Sequence, residues 1–425
     1  MLKKIINTFT TNVVIAILNL LIAIIVSQYL GAAGKGQQSI LITTIAFVLL
    51  VCNIVGGASL VYLVPRYDNF KIVAPSYIWT AIVCLVLYFF IGIFQDISPV
   101  YAFHVCLLTL ISSFTAINTT ILLGREKIRS KNFIAVLQTF ALIVSLLFMF
   151  LVLDQKSIES YIISLYIAFT VAFIVSSLYI IKFLNAPAGK QSPFGYVLKE
   201  MVHYGFLNQL SHITQLLSFR LSYYILLLYL GKDSVGIYSN AVSLVESVWL
   251  ISKSIATVQY ARIANSDNET YNQSITQRLL RSSLLVSFFI LLPMAMLPSA
   301  FYKMLFGQEF GSVNLLIVIL APGVFFYNFS LIIGHYFSGK GRYHINSIAS
   351  AIGLVVTVGF CWMLIPFIGI YGAAIAAVLS FVTTSGYVFY IFRKETGFPV
   401  KSFFPGKSDI TEYKNYIVSV FSRKR

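Results

Sequence analysis

Charged residues are scarce in this chain: only 10% of its 425 residues are Asp, Glu, Lys or Arg, whereas 58% are hydrophobic. The mean hydropathy is +0.86. Such a composition excludes an ordinary soluble globular domain. Apolar runs of roughly 20 residues, the length needed to cross a bilayer, recur from end to end with short polar breaks. The sequence therefore predicts an all-α polytopic membrane protein with about twelve transmembrane helices.

The chain also lacks the motifs of catalysis, cofactor binding and metal binding. Its 4 cysteines (Cys52, Cys84, Cys106 and Cys361) all fall inside predicted spans, where cysteine behaves as a small buried hydrophobe. The stretch "GAAGKG" from Gly31 has neither the spacing nor the preceding strand of a phosphate-binding loop. No H-E-x-x-H or G-x-S-x-G motif occurs. We therefore expect a protein that is not an enzyme and has no cofactor or bound metal.

Acidic residues are the rarer charged class, 14 against 30 Lys and Arg, which gives a net charge of +16. About 24 basic residues fall at the termini and in alternate breaks. Only about 4 fall in the other breaks, the predicted outer loops, namely Lys35, Lys156, Lys232 and Lys303. By the positive-inside rule both termini are predicted to be cytoplasmic. The basic excess is thus a topology signal, with attraction to anionic membrane lipid as a second effect, and it does not indicate a nucleic-acid partner.

Two stretches of similar sequence indicate a duplication. "YLGAAGKGQQS" from Tyr29 and "YLGKDSVGIYS" from Tyr229 lie about 200 residues apart, in the breaks after the first and seventh spans. "GREKIRS" from Gly124 and "GRYHINS" from Gly341 follow the fourth and tenth spans, and a longer break around Gln259–Arg281 accounts for their wider separation. Six spans per copy make the repeat parallel.

This organisation predicts two six-helix bundles, residues 1–200 and 201–392, followed by a basic cytoplasmic tail, residues 393–425. Apolar residues at helical spacing from Ile410 predict an amphipathic segment of the tail on the inner membrane surface. Pro293, Pro298 and Pro322 lie in or beside spans nine and ten, where a kink or hinge is possible, although kinks are common in membrane helices.

Ionisable groups inside spans are costly and tend to face a bundle interior or a wet cavity. Arg220 and Glu246 are predicted at nearly equal depth on spans seven and eight, so they could form an ion pair. Lys253 follows Glu246 by two helical turns, close enough to the cytoplasmic end to extend to it. The pair is interpreted either as a structural salt bridge or as part of a cationic lining for an anionic substrate.

Span seven also carries a broad polar face, which on a membrane helix meets protein or water and not lipid. Its residues include three candidate substrate-binding groups, namely Asn208, His212 and Gln215. Arg220 projects away from the centre of this face. His212 is interpreted as an interhelical hydrogen-bonding group more readily than as a proton carrier.

The chain resembles the polysaccharide flippases, the O-antigen and capsule repeat-unit translocases of the multidrug/oligosaccharidyl-lipid/polysaccharide (MOP) exporter superfamily. The resemblance covers nearly the whole chain. It rests on "YLGAAGKGQQS", "LGKDSVGIYSNAVSLVESVWL", "LFGQEFGSVNLLIVILAPGVFFYNFS", "FSGKGRYHINS" and "IGIYGAAIAAVLS". Two departures occur: Ser222 stands where the family often has Asp, which puts Asp-based cation coupling in doubt, and "TVQYAR" stands where it often has Pro after span eight.

The resemblance implies two six-helix bundles in a V shape around a central cavity. It further implies flipping of an undecaprenyl-pyrophosphate-linked oligosaccharide from the cytoplasmic to the periplasmic leaflet of the bacterial inner membrane, driven by an ion gradient. Arg220 and Lys253 would meet the anionic head group. Polymerases and glycosyltransferases of the same pathway are possible partners. A multidrug or cation antiporter of the same superfamily is the alternative, and a membrane polysaccharide polymerase is disfavoured because the outer loops are short.

Overall fold

The structure, a computed structural model, describes residues 2–57, 59–93, 98–184, 193–404 and 406. Within these ranges the regular secondary structure is entirely helical. The α-helices are α1 (Leu2–Gly56), α2 (Ser59–Leu63), α3 (Asn69–Ile93), α4 (Pro99–Gly124), α5 (Ile128–Leu147), α6 (Ile158–Leu184), α7 (Phe194–Ser247), α8 (Trp249–Ala264), α9 (Glu269–Met296), α10 (Ser299–Phe306), α11 (Val313–Gly339), α12 (Tyr343–Ile368) and α13 (Ile370–Thr396). The amphipathic segment predicted from Ile410 lies outside the described residues.

Among the described residues, 10 helical segments are long and apolar enough to cross a membrane. Two of these, Asn7–Leu63 and Phe194–Ser247, are 57 and 54 residues long, and each is far longer than one crossing requires. Each contains a kink, so each corresponds to two of the predicted spans. The all-α polytopic membrane fold predicted from the sequence is confirmed.

The two kinks fall at the two glycines of the repeated "YLG" motif. Gly31 has φ 66° and ψ −169°, and Gly231 has φ 78° and ψ −175°. This backbone region is essentially restricted to glycine, because a Cβ would collide with the neighbouring peptide. The repeated motif therefore encodes the same local bend of the chain in both copies.

The chain divides into two compact units. The first comprises Met1–Ser239 together with Met304–Phe310, and the second comprises Asn240–Lys303 and Gly311–Arg425. The predicted domain boundary at residue 200 was placed from the sequence repeat. A division into compact units does not test a repeat boundary, so the boundary remains a prediction.

In the first unit, α1 and α7 cross at the second glycines of the two motifs. A Cβ on Gly36 would fall on the carbonyl oxygen of Lys232, and a Cβ on Gly236 would fall on the carbonyl oxygen of Ala32. One turn further, the Ser39 hydroxyl donates to the Ser239 hydroxyl at 2.8 Å. The contact is thus reciprocal, with each copy of the motif presenting a glycine to the backbone of the other. Glycine at a helix crossing permits such close packing of membrane helices.

Each unit also has a buried asparagine that joins several helices. In the first unit, Asn118 of α4 accepts from the Tyr77 hydroxyl at 2.6 Å and donates to Ser176 at 3.0 Å. In the second, the Oδ1 atom of Asn328 on α11 accepts from Ser252 at 2.5 Å. Both asparagines are fully buried. Such bonds satisfy polar groups that hydrocarbon would leave without partners.

Two sequence-based expectations concern the second half. The predicted long break around Gln259–Arg281, between spans eight and nine, is largely helical, because α8 continues to Ala264 and α9 already begins at Glu269. The side chain of Asn268 accepts a hydrogen bond from the Tyr271 amide at 3.0 Å and caps α9, so a polar stretch that hydropathy scores as a loop is helical. Pro293 and Pro322 lie inside continuous helices.

The four cysteines are buried and free, as expected for apolar packing residues.

Candidate functional site

The polar face predicted on span seven lies on the first part of α7, in the first unit. Ser218 and Ser222 are buried, Gln215 is half-buried and His212 is exposed. Asn208 is part of the helix, but its side chain lies outside the described residues. The face therefore runs from buried serines to groups that are accessible in the structure.

Arg220 is half-buried on the same helix. Its guanidinium carbon lies 5.4 Å from the ring centroid of Tyr223, within cation–π range. Its Nη1 atom donates to the Phe219 carbonyl at 3.4 Å. One turn after Arg220, the Tyr224 hydroxyl lies 2.9 Å from the Thr44 hydroxyl of α1. Arg220 is thus a partly accessible cation beside aromatic and hydroxyl groups, a surrounding that suits an anionic or sugar ligand.

Glu246 and Lys253 belong to the second unit, on the last turns of α7 and on α8. Glu246 is half-buried and Lys253 is exposed. The Lys253 ammonium lies 5.8 Å from the ring centroid of Trp249, a fully buried indole whose N–H donates to the Val324 carbonyl at 3.0 Å. The ion pair between Arg220 and Glu246 remains a prediction.

Ser252, which precedes Lys253 on α8, and Ser283 of α9 belong to a hydrogen-bond network around Asn328. Ser283 lies 2.7 Å from the Ser252 hydroxyl and 2.8 Å from the Asn328 oxygen. Ser287 donates to the same oxygen at 3.2 Å. This network fixes α8, α9 and α11 relative to one another inside the second unit, and so positions the turn of α8 that carries Lys253.

A lysine that the sequence analysis assigned to an outer loop is buried inside α1. Lys35 is 5% exposed, and its ammonium donates to the Gln38 side-chain oxygen at 2.6 Å. Gln38 in turn donates to the Tyr161 hydroxyl at 3.2 Å, and both of these groups are also buried. The residue was missed because "GAAGKGQQ" is rich in glycine and polar residues, a composition typical of a turn. The sequence feature that could have singled it out is a lysine in only one copy of a repeated motif.

A second residue that the sequence did not single out is Glu309, between α10 and α11. Its carboxylate accepts a hydrogen bond from the Ala32 amide at 2.6 Å, directly after the kink at Gly31. Two residues of α10 are held nearby, since the Gln28 amide donates to the Met304 and Leu305 carbonyls at 2.9 Å each. A kink leaves the first amides of the following helix segment without helical acceptors. A carboxylate there accepts a hydrogen bond and interacts favourably with the positive end of the helix dipole. Glu309 therefore stabilises the bend of α1.

Among the residues that the structure describes, no group of three or more His, Cys, Asp or Glu side chains could hold a metal ion.

Solved structures with similar folds are transporters of one superfamily. The lipid II flippase MurJ, in an inward closed conformation, superposes with a TM-score of 0.71 at 17% identity, covering 95% of this chain and 89% of MurJ. A multidrug resistance MATE family transporter of the MOP superfamily, in an inward-facing conformation, gives a TM-score of 0.70 at 15% identity, covering 90% and 94%. This chain is a multi-pass membrane protein with the fold of the MOP superfamily, as the sequence resemblance predicted.

Sequence comparison adds a relative from polysaccharide synthesis. The capsular polysaccharide biosynthesis protein CapF of Staphylococcus aureus is 25% identical over 167 residues. The match covers 38% of this chain and 42% of CapF, so it spans less than half of either protein. No protein-family model matches the chain. The similarity to CapF fits the resemblance to polysaccharide flippases that the motifs indicated.

Proposed function

We propose that this protein is a flippase that moves undecaprenyl-pyrophosphate-linked oligosaccharide repeat units from the cytoplasmic to the periplasmic leaflet, for surface polysaccharide assembly. The observation that carries the proposal is the combination of two similarities. The fold is shared with a lipid II flippase, and the partial sequence match is to a capsular polysaccharide biosynthesis protein. The protein then resides in the bacterial inner membrane with both termini in the cytoplasm, and movement is coupled to an ion gradient.

Such a carrier has to shelter a sugar chain and a diphosphate from hydrocarbon while the lipid tail stays in the bilayer. Fixed cations and neutral hydrogen-bonding groups meet that need, because an unpaired diphosphate in a low-dielectric medium is very costly. Arg220 and Lys253 are the proposed phosphate contacts, through charge-assisted hydrogen bonds. His212, Gln215 and Asn208 are proposed contacts for sugar hydroxyls, and Glu246 a counter-ion for the cations.

The aromatic neighbours of the two cations support this assignment. Arg220 lies over Tyr223 and Lys253 beside Trp249, so each cation has an aromatic ring as a partner. A ring face attracts a cation without cancelling its charge, unlike a carboxylate.

The test is complementation in a strain deleted for its own polysaccharide flippase, and then in the native host. We expect the wild type to restore surface polysaccharide, and Arg220→Ala, Lys253→Ala and Glu246→Ala to reduce it at unchanged protein levels. Lys232→Ala is the matched control, because Lys232 is an exposed lysine outside the proposed set. Deletion in the native host should leave lipid-linked repeat units on the inner leaflet. Normal surface polysaccharide in that deletion strain would refute the proposal.

A drug or cation antiporter is the second candidate, favoured by the similarity to the MATE transporter. In that case deletion would change drug sensitivity and leave surface polysaccharide intact. Partner polymerases and glycosyltransferases of the same pathway would be needed only by the flippase. Cross-linking of the cytoplasmic loops to those enzymes would therefore support the first candidate over the second.

A further inference from the structure

A cavity of about 530 Å³ opens between α1 and α5 of the first unit, close to the residues where both helices begin. Its polar lining side chains are Asn7, Thr11, Arg129 and Asn132. Phe133 and Val136 supply part of its apolar wall. The volume is within the range of about 300–1,000 Å³ that is usual for small-molecule sites. The cavity therefore has the size and the mixed lining of a ligand site.

The cavity lies at one end of two membrane-spanning segments. The spanning segment of α1 begins at Asn7 and that of α5 begins at Ile128, and both residues line the cavity. The basic residues around these two helix starts predict that both lie on the cytoplasmic side. The cavity is therefore expected at the level of the lipid headgroups of the inner leaflet.

The charge around the cavity is positive. Arg129 is exposed, and within the described residues it has no carboxylate partner. None of the described lining residues is acidic. The break between α4 and α5 also carries Arg125, Lys127 and Lys131, with Glu126 as its one acidic residue. A guanidinium binds a phosphate through two parallel charge-assisted hydrogen bonds, so a phosphodiester suits Arg129.

Neutral polar groups surround this cation. Asn132 is buried, and its side-chain amide donates to the Thr8 hydroxyl at 3.4 Å, which joins α5 to α1. Asn7 and Thr11 are half-buried. Amides and hydroxyls both donate and accept hydrogen bonds, so these side chains suit the hydroxyls of a glycerol headgroup.

Apolar side chains continue from the cavity along both helices. On α5, Phe133 and Phe140 are exposed and seven residues apart, which is about two helical turns. On α1, Thr11 is followed by the exposed Val14 and, seven residues further, by the exposed Leu21. This spacing keeps the apolar groups on one side of each helix. A polar, cationic cavity with an apolar extension matches a phospholipid better than a free phosphate.

We propose that this cavity binds one anionic phospholipid of the phosphatidylglycerol type. Arg129 holds the phosphodiester, Asn7 and Thr11 bind the glycerol hydroxyls, and an acyl chain lies along Phe133 and Val14. Phosphatidylethanolamine binds less well, because its ammonium meets no carboxylate in the lining and is repelled by the basic residues before α5. The inference concerns a lipid ligand separate from the transported molecule, so it does not depend on the proposed flippase function.

The main experiment uses the full-length protein, delipidated in detergent, and counts bound lipids by native mass spectrometry. We expect a dissociation constant about tenfold lower for phosphatidylglycerol than for phosphatidylethanolamine. Arg129→Gln should remove most of this preference, and Arg129→Lys should keep part of it. Lys182→Gln is the matched control, because Lys182 is exposed at the end of α6 and does not line the cavity. Equal affinity of the wild type for the two lipids, or equal losses in Arg129→Gln and Lys182→Gln, overturns the inference.

A second variant tests the cavity without a change of charge. Val136→Phe places a ring in the cavity and should weaken phosphatidylglycerol binding, whereas Ile174→Phe, on the exposed side of α6, should not. Thermal unfolding of the same samples shows whether each variant is folded and whether the lipid raises its melting temperature. Unchanged binding by a folded Val136→Phe overturns the inference.

Two competition measurements separate the lipid from other phosphates. Inorganic phosphate alone should not raise the melting temperature, because it lacks the apolar chains; a rise would overturn the assignment to a lipid. Bound phosphatidylglycerol should also be retained when undecaprenyl pyrophosphate is added. Its release would show that the cavity receives the lipid-linked substrate and would overturn the proposal of a separate phospholipid site.

Discussion

Substitution of Gly36 by alanine tests the reciprocal crossing of α1 and α7 most directly. The Cβ of the new residue would fall on the carbonyl oxygen of Lys232, and the amide of Gly236 lies 3.1 Å from the same point. All the obstructing atoms are backbone atoms, which cannot move aside by changing a rotamer. The helices must therefore separate, and the bond between Ser39 and Ser239 must lengthen. Gly236→Ala forces the same separation through the carbonyl of Ala32.

The expected loss follows from two opposing effects. Overpacking of a close contact costs about 1–3 kcal/mol, and an obstruction by backbone places this site near the upper value. Alanine in place of glycine inside a helix gains about 0.5–1 kcal/mol. The net expectation is a loss of about 2 kcal/mol for each substitution. Because either variant alone already separates the two helices, the double variant should lose less than the sum.

The assay is thermal and denaturant unfolding of the purified protein in detergent, followed by fluorescence. Gly386→Ala is the matched control, because Gly386 lies inside α13 and no atom lies within 4 Å of its added Cβ. That variant should be as stable as the wild type or slightly more stable. Equal effects of Gly36→Ala and Gly386→Ala, or full additivity of Gly36→Ala with Gly236→Ala, would contradict the crossing.

Three further predictions concern the same two units. Gly31→Ala and Gly231→Ala should each lower stability by about 1–3 kcal/mol through backbone strain. The loss at Gly31 should be larger, because the new Cβ would also lie 2.9 Å from the Glu309 carboxylate. Melting temperatures of the two variants test this order. Glu309→Ala should lower stability by about 1 kcal/mol through loss of the amide cap, and Glu309→Gln by less, measured by denaturant unfolding. Asn328→Leu should cost several times more than Ser287→Ala, because it removes the common acceptor of a buried network; equal losses in thermal unfolding would argue against that network.

The sequence by itself determined the class of the protein and the positions of its bends. An all-helical membrane fold follows from apolar runs of bilayer length, because backbone N–H and C=O groups in hydrocarbon have to be hydrogen-bonded within the protein. The repeated motifs marked Gly31 and Gly231, because a backbone region reserved for glycine constrains one residue and needs no distant partner. The polar face of α7 was likewise readable from helical periodicity.

Only the tertiary structure decided what those bends are packed against and which polar groups are buried. Glu309 reaches Ala32 across more than half the chain, and no local pattern connects them. The polar break Gln259–Arg281 is largely helical, which hydropathy does not reveal, because hydropathy measures preference for lipid whereas helices continue into water when they are capped. Lys35 looked like a loop residue in the sequence and lies buried on α1 in the fold, where its partner Gln38 bonds to Tyr161 of α6. Burial and long-range partners depend on how the helices pack, so hydropathy and residue spacing along the chain do not predict them.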